Sequence, residues 1–210
     1  MRGEACGMKI LETRAAPNPR RVRIFLAEKG IEVPFEQVDV MQGGSRSPEF
    51  TALNRFQRVP VLVLDDGVAI AETVAICRYF EELQPEPALF GRGALGRAAV
   101  EMWNRRMDLG LLLSVAQAFR HLHPAMVKLE VPQVSAWGEA NKPRALEILK
   151  IMDAQLANHR FLTGDQYSIA DITALVAVDF MKPARIERPP GLQNLARWYA
   201  EVSMRPSAKA

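Results

Sequence analysis

The chain has 210 residues, which is enough to bury a hydrophobic core in one domain or in two smaller ones. Its formal net charge is only +3, and 27 basic and 24 acidic side chains are spread along it, so the charge pattern does not predict a nucleic-acid partner. Two cysteines do not make a disulfide framework, and no stretch is apolar enough over a sufficient length to span a bilayer, so we expect a soluble protein in the cytoplasm.

Residues 1–7 show no periodicity and are predicted to be a disordered extension, after which residues 8–84 alternate strand and helix patterns. A strand over 8–12 is followed by a helix in which Asn18 is the predicted N-cap, Pro19 the first helical residue and Gly30 the end. A second strand is predicted around 35–40. A short helix then begins at Ser47 and Pro48.

The next predicted unit is a hairpin followed by a helix. Residues 61–64 form an apolar, β-branched run, 65–67 read Asp-Asp-Gly, and 68–71 return as a second strand. A helix then runs from Glu72 or Thr73 to Leu83. The order βαβα followed by ββα predicts a small α/β domain of the thioredoxin-like type over residues 8–84.

Beyond this domain the sequence pattern changes to helix alone. Residues 85–92 begin with a proline-rich stretch and are predicted to be a linker, and 93–210 are predicted to form an all-helical domain. Long amphipathic segments cover 94–122 and 136–158. Within 168–171, Ser168 and Asp171 have the spacing of a helix capping box.

This layout resembles the cytosolic glutathione transferases, and three motifs carry the resemblance: Arg58-Val59-Pro60, Glu72-Thr73, and Ser168 to Asp171. The resemblance implies that glutathione is the co-substrate. It also implies that Pro60 is cis, that the Val59 backbone binds the cysteinyl part of glutathione, and that Glu72 and Thr73 hold the γ-glutamyl group. Arg58 matches the position that often meets the glycine carboxylate.

Each of these residues also has an ordinary structural interpretation. Pro60 alone would be read as the start of an edge strand, Thr73 as a helix N-cap, and Arg58 as a solvated surface side chain. The succession of Val-Pro, strand, turn, strand and Glu-Thr favours the glutathione site. For Arg58 the sequence does not decide between the two interpretations.

The sequence departs from the family at the position that contacts the thiol of glutathione. Most classes have Tyr, Ser or Cys there, and this chain has Ala16. In this respect it resembles the bacterial and fungal group related to the second yeast glutathione transferase, in which that side chain is missing. The thiolate is then predicted to depend on the first-helix N-terminus around Asn18, with a secondary contribution from His123. Three histidines without a Cys-x-x-Cys pair make a poor ligand set, so no metal is predicted.

The leading functional prediction is an enzyme that joins glutathione to small electrophilic, largely apolar compounds in detoxification. A glutathione-dependent peroxidase or disulfide reductase is the first alternative, and a non-catalytic interaction module is the second. The resemblance and the apolar content of 94–122 predict a homodimer. No membrane partner is predicted.

Overall fold

The computed structural model describes residues 7–210, so the predicted extension lies outside the described residues except for Gly7. The chain divides into two compact units, with the division between Pro87 and Ala88. Among residues 7–210, no helix combines the length and the hydrophobicity that crossing a bilayer requires.

The first unit contains the predicted strands and helices in the predicted order. Its elements are β1 (Lys9–Glu12), α1 (Pro17–Lys29), β2 (Phe35–Gln37), a 3₁₀ turn (Gly44–Arg46), α2 (Pro48–Leu53), β3 (Val61–Val63), β4 (Ala69–Ala71) and α3 (Thr73–Leu83). Ser47 caps α2 by accepting a hydrogen bond from the Phe50 N–H, and Gly30 ends α1 with a φ of 65°, as predicted. The thioredoxin-like prediction is therefore confirmed at the level of individual elements.

Two boundaries in the first unit differ from the prediction by two or more residues. Asn18 is not the N-cap of α1, because the helix already begins at Pro17 and the cap is Ala16, which has no side chain that could cap. The second strand ends at Gln37 rather than near residue 40. Two closely spaced prolines explain the first error, since Pro17 and Pro19 both suit the first turn of a helix.

The sheet has the strand order β2-β1-β3-β4, in which β1 runs parallel to β2 and β3 runs antiparallel to both of its neighbours. Side chains alternate between its two faces. Ile10 and Leu62 are paired across β1 and β3, and both are fully buried, whereas Leu11, Val61 and Val63 form a separate core cluster with Phe50 of α2. The sheet therefore has a buried surface on each face.

The second unit is entirely helical, as predicted. Its helices are α4 (Gly93–Arg105), which continues through a π-helical segment (Arg106–Leu112) into α5 (Leu113–Leu122), then α6 (Ser135–Leu156), α7 (Ile169–Phe180) and α8 (Gln193–Ser203). Helix α7 lies at the centre, with every residue from Ile169 to Val178 buried. Its capping box is present as predicted, formed by Ser168 and Asp171.

Candidate active site

The strand register brings three separate segments to the same end of the sheet. Leu11 near the end of β1 pairs with Val61 at the start of β3, and Val61 also pairs with Ala71 at the end of β4. The turn into α1, the residues before β3 and the residues after β4 therefore leave the sheet side by side. These segments contain Asn18, the Arg58-Val59-Pro60 motif and the Glu72-Thr73 motif, so the structure brings the predicted glutathione-binding residues together.

The N-terminus of α1 offers one backbone donor in its first turn. Pro17 and Pro19 have no N–H, and the Arg20 N–H donates to the Ala16 carbonyl at 3.4 Å. Asn18 lies between the two prolines, so its N–H is the only donor of helical positions 17–19. The free N–H groups that the sequence predicted at this helix end therefore reduce to a single one.

Polar side chains near this donor already form some hydrogen bonds within the protein. The Oδ1 atom of Asn18 accepts a hydrogen bond from Nη1 of Arg21 at 3.3 Å, which leaves the side-chain NH₂ of this exposed residue available as a donor. The hydroxyl of Thr13 donates to the Val38 carbonyl at 2.6 Å. Its single hydrogen is thus used in a bond to the backbone that follows β2 and is not available to a ligand.

The Arg58-Val59-Pro60 motif lies directly before β3. The Val59–Pro60 peptide bond is cis, as the resemblance implied, and Pro60 is buried. Val59 is half-buried against the Leu11 cluster, and neither its N–H nor its C=O has a hydrogen-bond partner among the described residues. Arg58 is exposed, and its carbonyl accepts a hydrogen bond from Nδ2 of Asn54 at 2.8 Å.

The Glu72-Thr73 motif forms the entry to α3. Glu72 is exposed and has a φ of 71° and a ψ of 123°, a conformation that non-glycine residues rarely adopt and that concentrates at ligand sites. The first intrahelical bond runs from the Ile76 N–H to the Glu72 carbonyl at 3.0 Å. The N–H groups of Thr73, Val74 and Ala75 are therefore unused within the helix, and a helix N-terminus with such free donors is able to bind an anion.

His123 belongs to the second unit, where it ends α5. Its Nδ1 atom accepts a hydrogen bond from the Ala125 N–H at 3.2 Å, and its ring stacks on Phe119 with 4.7 Å between the ring centroids. A neutral ring that accepts at Nδ1 carries its hydrogen on Nε2, so His123 is set as a donor through Nε2. Within residues 7–210, no group of three or more His, Cys, Asp or Glu side chains is arranged to hold a metal ion.

The cysteine of the first unit does not belong to this site. Cys77 is fully buried on α3, and burial in apolar surroundings raises the pKa of its thiol to about 12. Cys77 is thus a residue of the hydrophobic core. Cys6 lies outside the described residues.

The chain matches two sequence profiles of one family. The glutathione S-transferase N-terminal domain matches residues 15–83, and the glutathione S-transferase C-terminal domain matches residues 103–206. Glutathione S-transferase 2 of Saccharomyces cerevisiae is 37% identical over 205 residues, which cover 96% of this chain and 88% of the yeast protein. The chain belongs to the glutathione transferase family.

Solved structures agree with this assignment. A glutathione S-transferase domain-containing protein from Marinobacter aquaeolei superimposes with a TM-score of 0.92 at 40% identity, covering 95% of this chain and 98% of the other. Gtt2 from Saccharomyces cerevisiae also gives a TM-score of 0.92, at 36% identity and with coverage of 96% and 98%. The predicted fold and the predicted resemblance to the second yeast glutathione transferase are both confirmed. The chain is a transferase enzyme with glutathione as its co-substrate.

One group of polar residues in this glutathione transferase was missed by the sequence interpretation. Glu12, Arg23 and Gln37 form a hydrogen-bonded network beside the turn into α1, and Glu12 and Arg23 are buried. The available signal was an ionisable residue in each of two apolar runs, Glu12 after Ile10-Leu11 and Arg23 between Val22 and Ile24. Buried charged side chains are rare unless they are paired, so an acidic and a basic residue in neighbouring apolar segments indicate an ion pair between them.

Proposed function

We propose that the end of the sheet that carries Val59, Pro60, Glu72 and Thr73 holds glutathione in an extended conformation. The observation that carries this proposal is that the Val59 backbone N–H and C=O, which have no hydrogen-bond partner among the described residues, lie at the same end of the sheet as the N–H groups of the α3 N-terminus. The cysteinyl main chain of glutathione would pair with Val59. The γ-glutamyl carboxylate would accept from the α3 N–H groups and from the Thr73 hydroxyl.

The two charged residues of the site complement the remaining charges of glutathione. Glu72 is exposed, and its carboxylate would accept a charge-assisted hydrogen bond from the γ-glutamyl ammonium. Arg58 is exposed and has no ion-pair partner among the described residues, and its guanidinium would pair with the glycine carboxylate. Glutathione would thus meet a complementary group at each of its charged ends.

We infer that the reaction is the conjugation of glutathione to small electrophilic, largely apolar compounds. We propose that it takes place in the cytoplasm and that its role is detoxification. The glutathione thiolate attacks an electrophilic carbon, the C–S bond forms, and the leaving group departs with the bonding electron pair. Family membership supports this reaction. Reduction of peroxides or disulfides would instead oxidise glutathione to a disulfide.

A turnover panel tests the reaction class. The purified protein is given glutathione with a chloronitrobenzene, an organic hydroperoxide or a mixed disulfide, and thioether, glutathione disulfide and released chloride are measured. We expect thioether and chloride from the first compound as the dominant activity. Dominant formation of glutathione disulfide would favour the reductive enzymes, and absence of all products with intact glutathione binding would favour the interaction module.

We predict that the thiolate depends on donors at Asn18 and on no hydroxyl side chain. Asn18→Ala should raise the pKa of the bound glutathione thiol by roughly one unit, and by more than His123→Ala does, because the side-chain amide is lost. Asn18→Pro, which also removes the backbone N–H, should raise it further. The measurement is the thiolate absorbance of the complex as a function of pH.

Thr13→Val is the control for this prediction. Because the Thr13 hydroxyl already donates to Val38, its loss should leave the pKa of the bound thiol depressed. Wild-type pKa and turnover in both Asn18 variants, beside loss of both in Thr13→Val, would make this a hydroxyl-type transferase. The contribution of His123 stays a prediction that His123→Ala tests.

We propose a homodimer on the basis of exposed apolar side chains in each unit. In the second unit, Leu95 and Met102 are seven residues apart on α4, and Leu109 and Leu113 are four residues apart, with exposures of 84%, 44%, 51% and 45%. In the first unit, Phe56 is 80% exposed. Exposed apolar side chains of this kind typically mark protein interfaces, and two-fold association would bury the equivalent side chains of both protomers.

Phe56→Ser should therefore weaken the dimer. Burying a Phe side chain contributes roughly 1.5–3 kcal/mol, and a two-fold interface contains two copies, so we expect the dissociation constant to rise by at least about a hundredfold. Light scattering over a dilution series measures it. Val68→Ser is the matched control, since Val68 is 51% exposed at a hairpin turn of the same unit. A wild-type monomer at micromolar concentration would refute the dimer.

A further inference from the structure

A buried carboxylate joins three elements beside the candidate site. Glu12 is the last residue of β1 and is 0% exposed. Its Oε2 atom accepts a hydrogen bond from Nη1 of Arg23 on α1, and its Oε1 atom accepts from Nε2 of Gln37, the last residue of β2, at 2.7 Å. One side chain thereby fixes a helix and a neighbouring strand relative to β1.

The same two partners of Glu12 also hold the turn that leads into α1. The second guanidinium nitrogen of Arg23, Nη2, donates to the Arg14 carbonyl at 2.9 Å. The Oε1 atom of Gln37 accepts from the Arg14 N–H at 3.0 Å. Both backbone polar groups of Arg14 are thus held by side chains that Glu12 orients.

This arrangement determines where α1 begins. The Ala16 N–H donates to the Thr13 carbonyl at 2.9 Å, so the turn that Arg14 anchors ends at the N-cap of the helix. Only one residue separates Ala16 from Asn18. A donor that stabilises a developing charge must be held within about 0.5 Å of its productive position, which a solvated turn alone would not achieve.

We propose that Glu12, Arg23 and Gln37 are positioning residues that hold the turn into α1, and with it the Asn18 donor, against the glutathione thiolate. The inference rests on the proposed function of Asn18. None of the three residues needs to touch glutathione. Their role is to fix the backbone from which the donor projects.

Two variants test this role without changing the net charge of the site. Gln37→Ala removes one of the two groups that hold Arg14 and affects an exposed side chain, so it should fold. Glu12→Asp keeps the carboxylate but shortens it by one methylene, so it cannot reach Arg23 and Gln37 together. Any change in the pKa of the bound thiol then reports geometry, because the charge is the same as in the wild type.

We expect each variant to raise the pKa of the bound glutathione thiol by about half a unit to one unit, which lowers the thiolate fraction about threefold to tenfold at a pH below the pKa. The matched control is Glu36→Ala, on the same strand but on the opposite face, where Glu36 forms an ion pair with Lys9 on the surface. It should leave the pKa of the bound thiol unchanged. Denaturant unfolding of each variant establishes that the measured protein is folded.

The outcomes separate this inference from the function on which it rests. A wild-type complex whose thiol pKa is not depressed would refute activation at Asn18 before any variant is made. A depressed wild-type pKa that persists in folded Gln37→Ala and folded Glu12→Asp would refute the positioning role alone. If Glu12→Asp does not fold, Gln37→Ala by itself decides.

Discussion

Asp171→Ala should lower the free energy of unfolding more than any other substitution that we consider. The Asp171 carboxylate is fully buried and accepts from the Leu162 N–H at 3.0 Å, the Trp198 Nε1–H at 2.9 Å and the Ser168 N–H and hydroxyl at 3.1 Å each. Alanine would leave three N–H donors buried without a partner. At roughly 1–3 kcal/mol for each, we expect a loss of about 3–5 kcal/mol or more.

Chemical denaturation measures this loss, and Ser168→Ala is the control. Ser168→Ala removes only the capping hydroxyl and should cost about 1 kcal/mol. If Asp171→Ala does not fold, Asp171→Asn still gives a measurable value, because its carbonyl can accept from Leu162 and Trp198 while its NH₂ faces the Ser168 N–H. A loss in folded Asp171→Ala no larger than that of Ser168→Ala would show that the carboxylate contributes only as a helix cap.

The difference in the free energy of unfolding between the wild type and an Asp171 variant should also depend on pH. Burial raises the pKa of Asp171 from 3.8 to about 6, and the hydrogen bonds that it accepts only partly oppose this effect. Because the folded state binds this proton more tightly than the unfolded state, the associated stability is fully present below about pH 4 and is lost as the pH rises through about 6. The deficit of a folded Asp171 variant should therefore be larger near pH 4 than near pH 7.

Glu72→Ala is expected to have the largest effect on ligand binding. It removes the charge-assisted hydrogen bond to the γ-glutamyl ammonium, which corresponds to roughly 1.5–3 kcal/mol, or about tenfold to a hundredfold in affinity. Titration calorimetry with glutathione measures the change. Glu72→Gln should lie between wild type and Glu72→Ala, because it keeps the length of the side chain and loses only the charge.

The control for Glu72→Ala is Glu32→Ala. Glu32 is an exposed acid of the same unit that lies between α1 and β2, and thus at the opposite end of the sheet from Glu72. Its removal should leave the affinity for glutathione unchanged. Wild-type affinity in a folded Glu72→Ala protein would remove Glu72 from the site, and an equal loss in both variants would indicate a nonspecific effect of charge.

Local sequence signals predicted most of the elements of this protein correctly. Ser47 and Ser168 each precede a helix that they cap, Gly30 ends α1 with a positive φ, and Asp65-Asp66-Gly67 turns the hairpin. These signals depend on backbone conformation over four or five neighbouring residues, so the sequence displays them directly. Because such signals are local, they did not distinguish Pro17 from Pro19 as the first helical residue, and Asn18 was wrongly predicted as the N-cap in place of Ala16.

The candidate site was predictable in part. Arg58, Val59, Pro60, Glu72 and Thr73 stand out because a known family has the same motifs in the same order. The positive φ of Glu72 and the loss of N–H donors at α1 were not expected. The loss of N–H donors follows from the sequence once the helix is known to begin at Pro17, because neither Pro17 nor Pro19 has an N–H.

By itself, the sequence determined the order of the elements, the helix and turn signals, the absence of a hydroxyl at Ala16 and the family motifs. Only the tertiary structure decided the partners of Glu12 and Asp171, which lie 25 residues from Gln37 and 27 residues from Trp198 along the chain. The physical reason is that strand register and helix packing select these pairs from many possible ones. A buried carboxylate requires hydrogen-bond donors, but the sequence does not show which residues donate. The hydrophobic periodicity of a segment predicts the face on which a residue lies, and it does not predict which residue of another element packs against it.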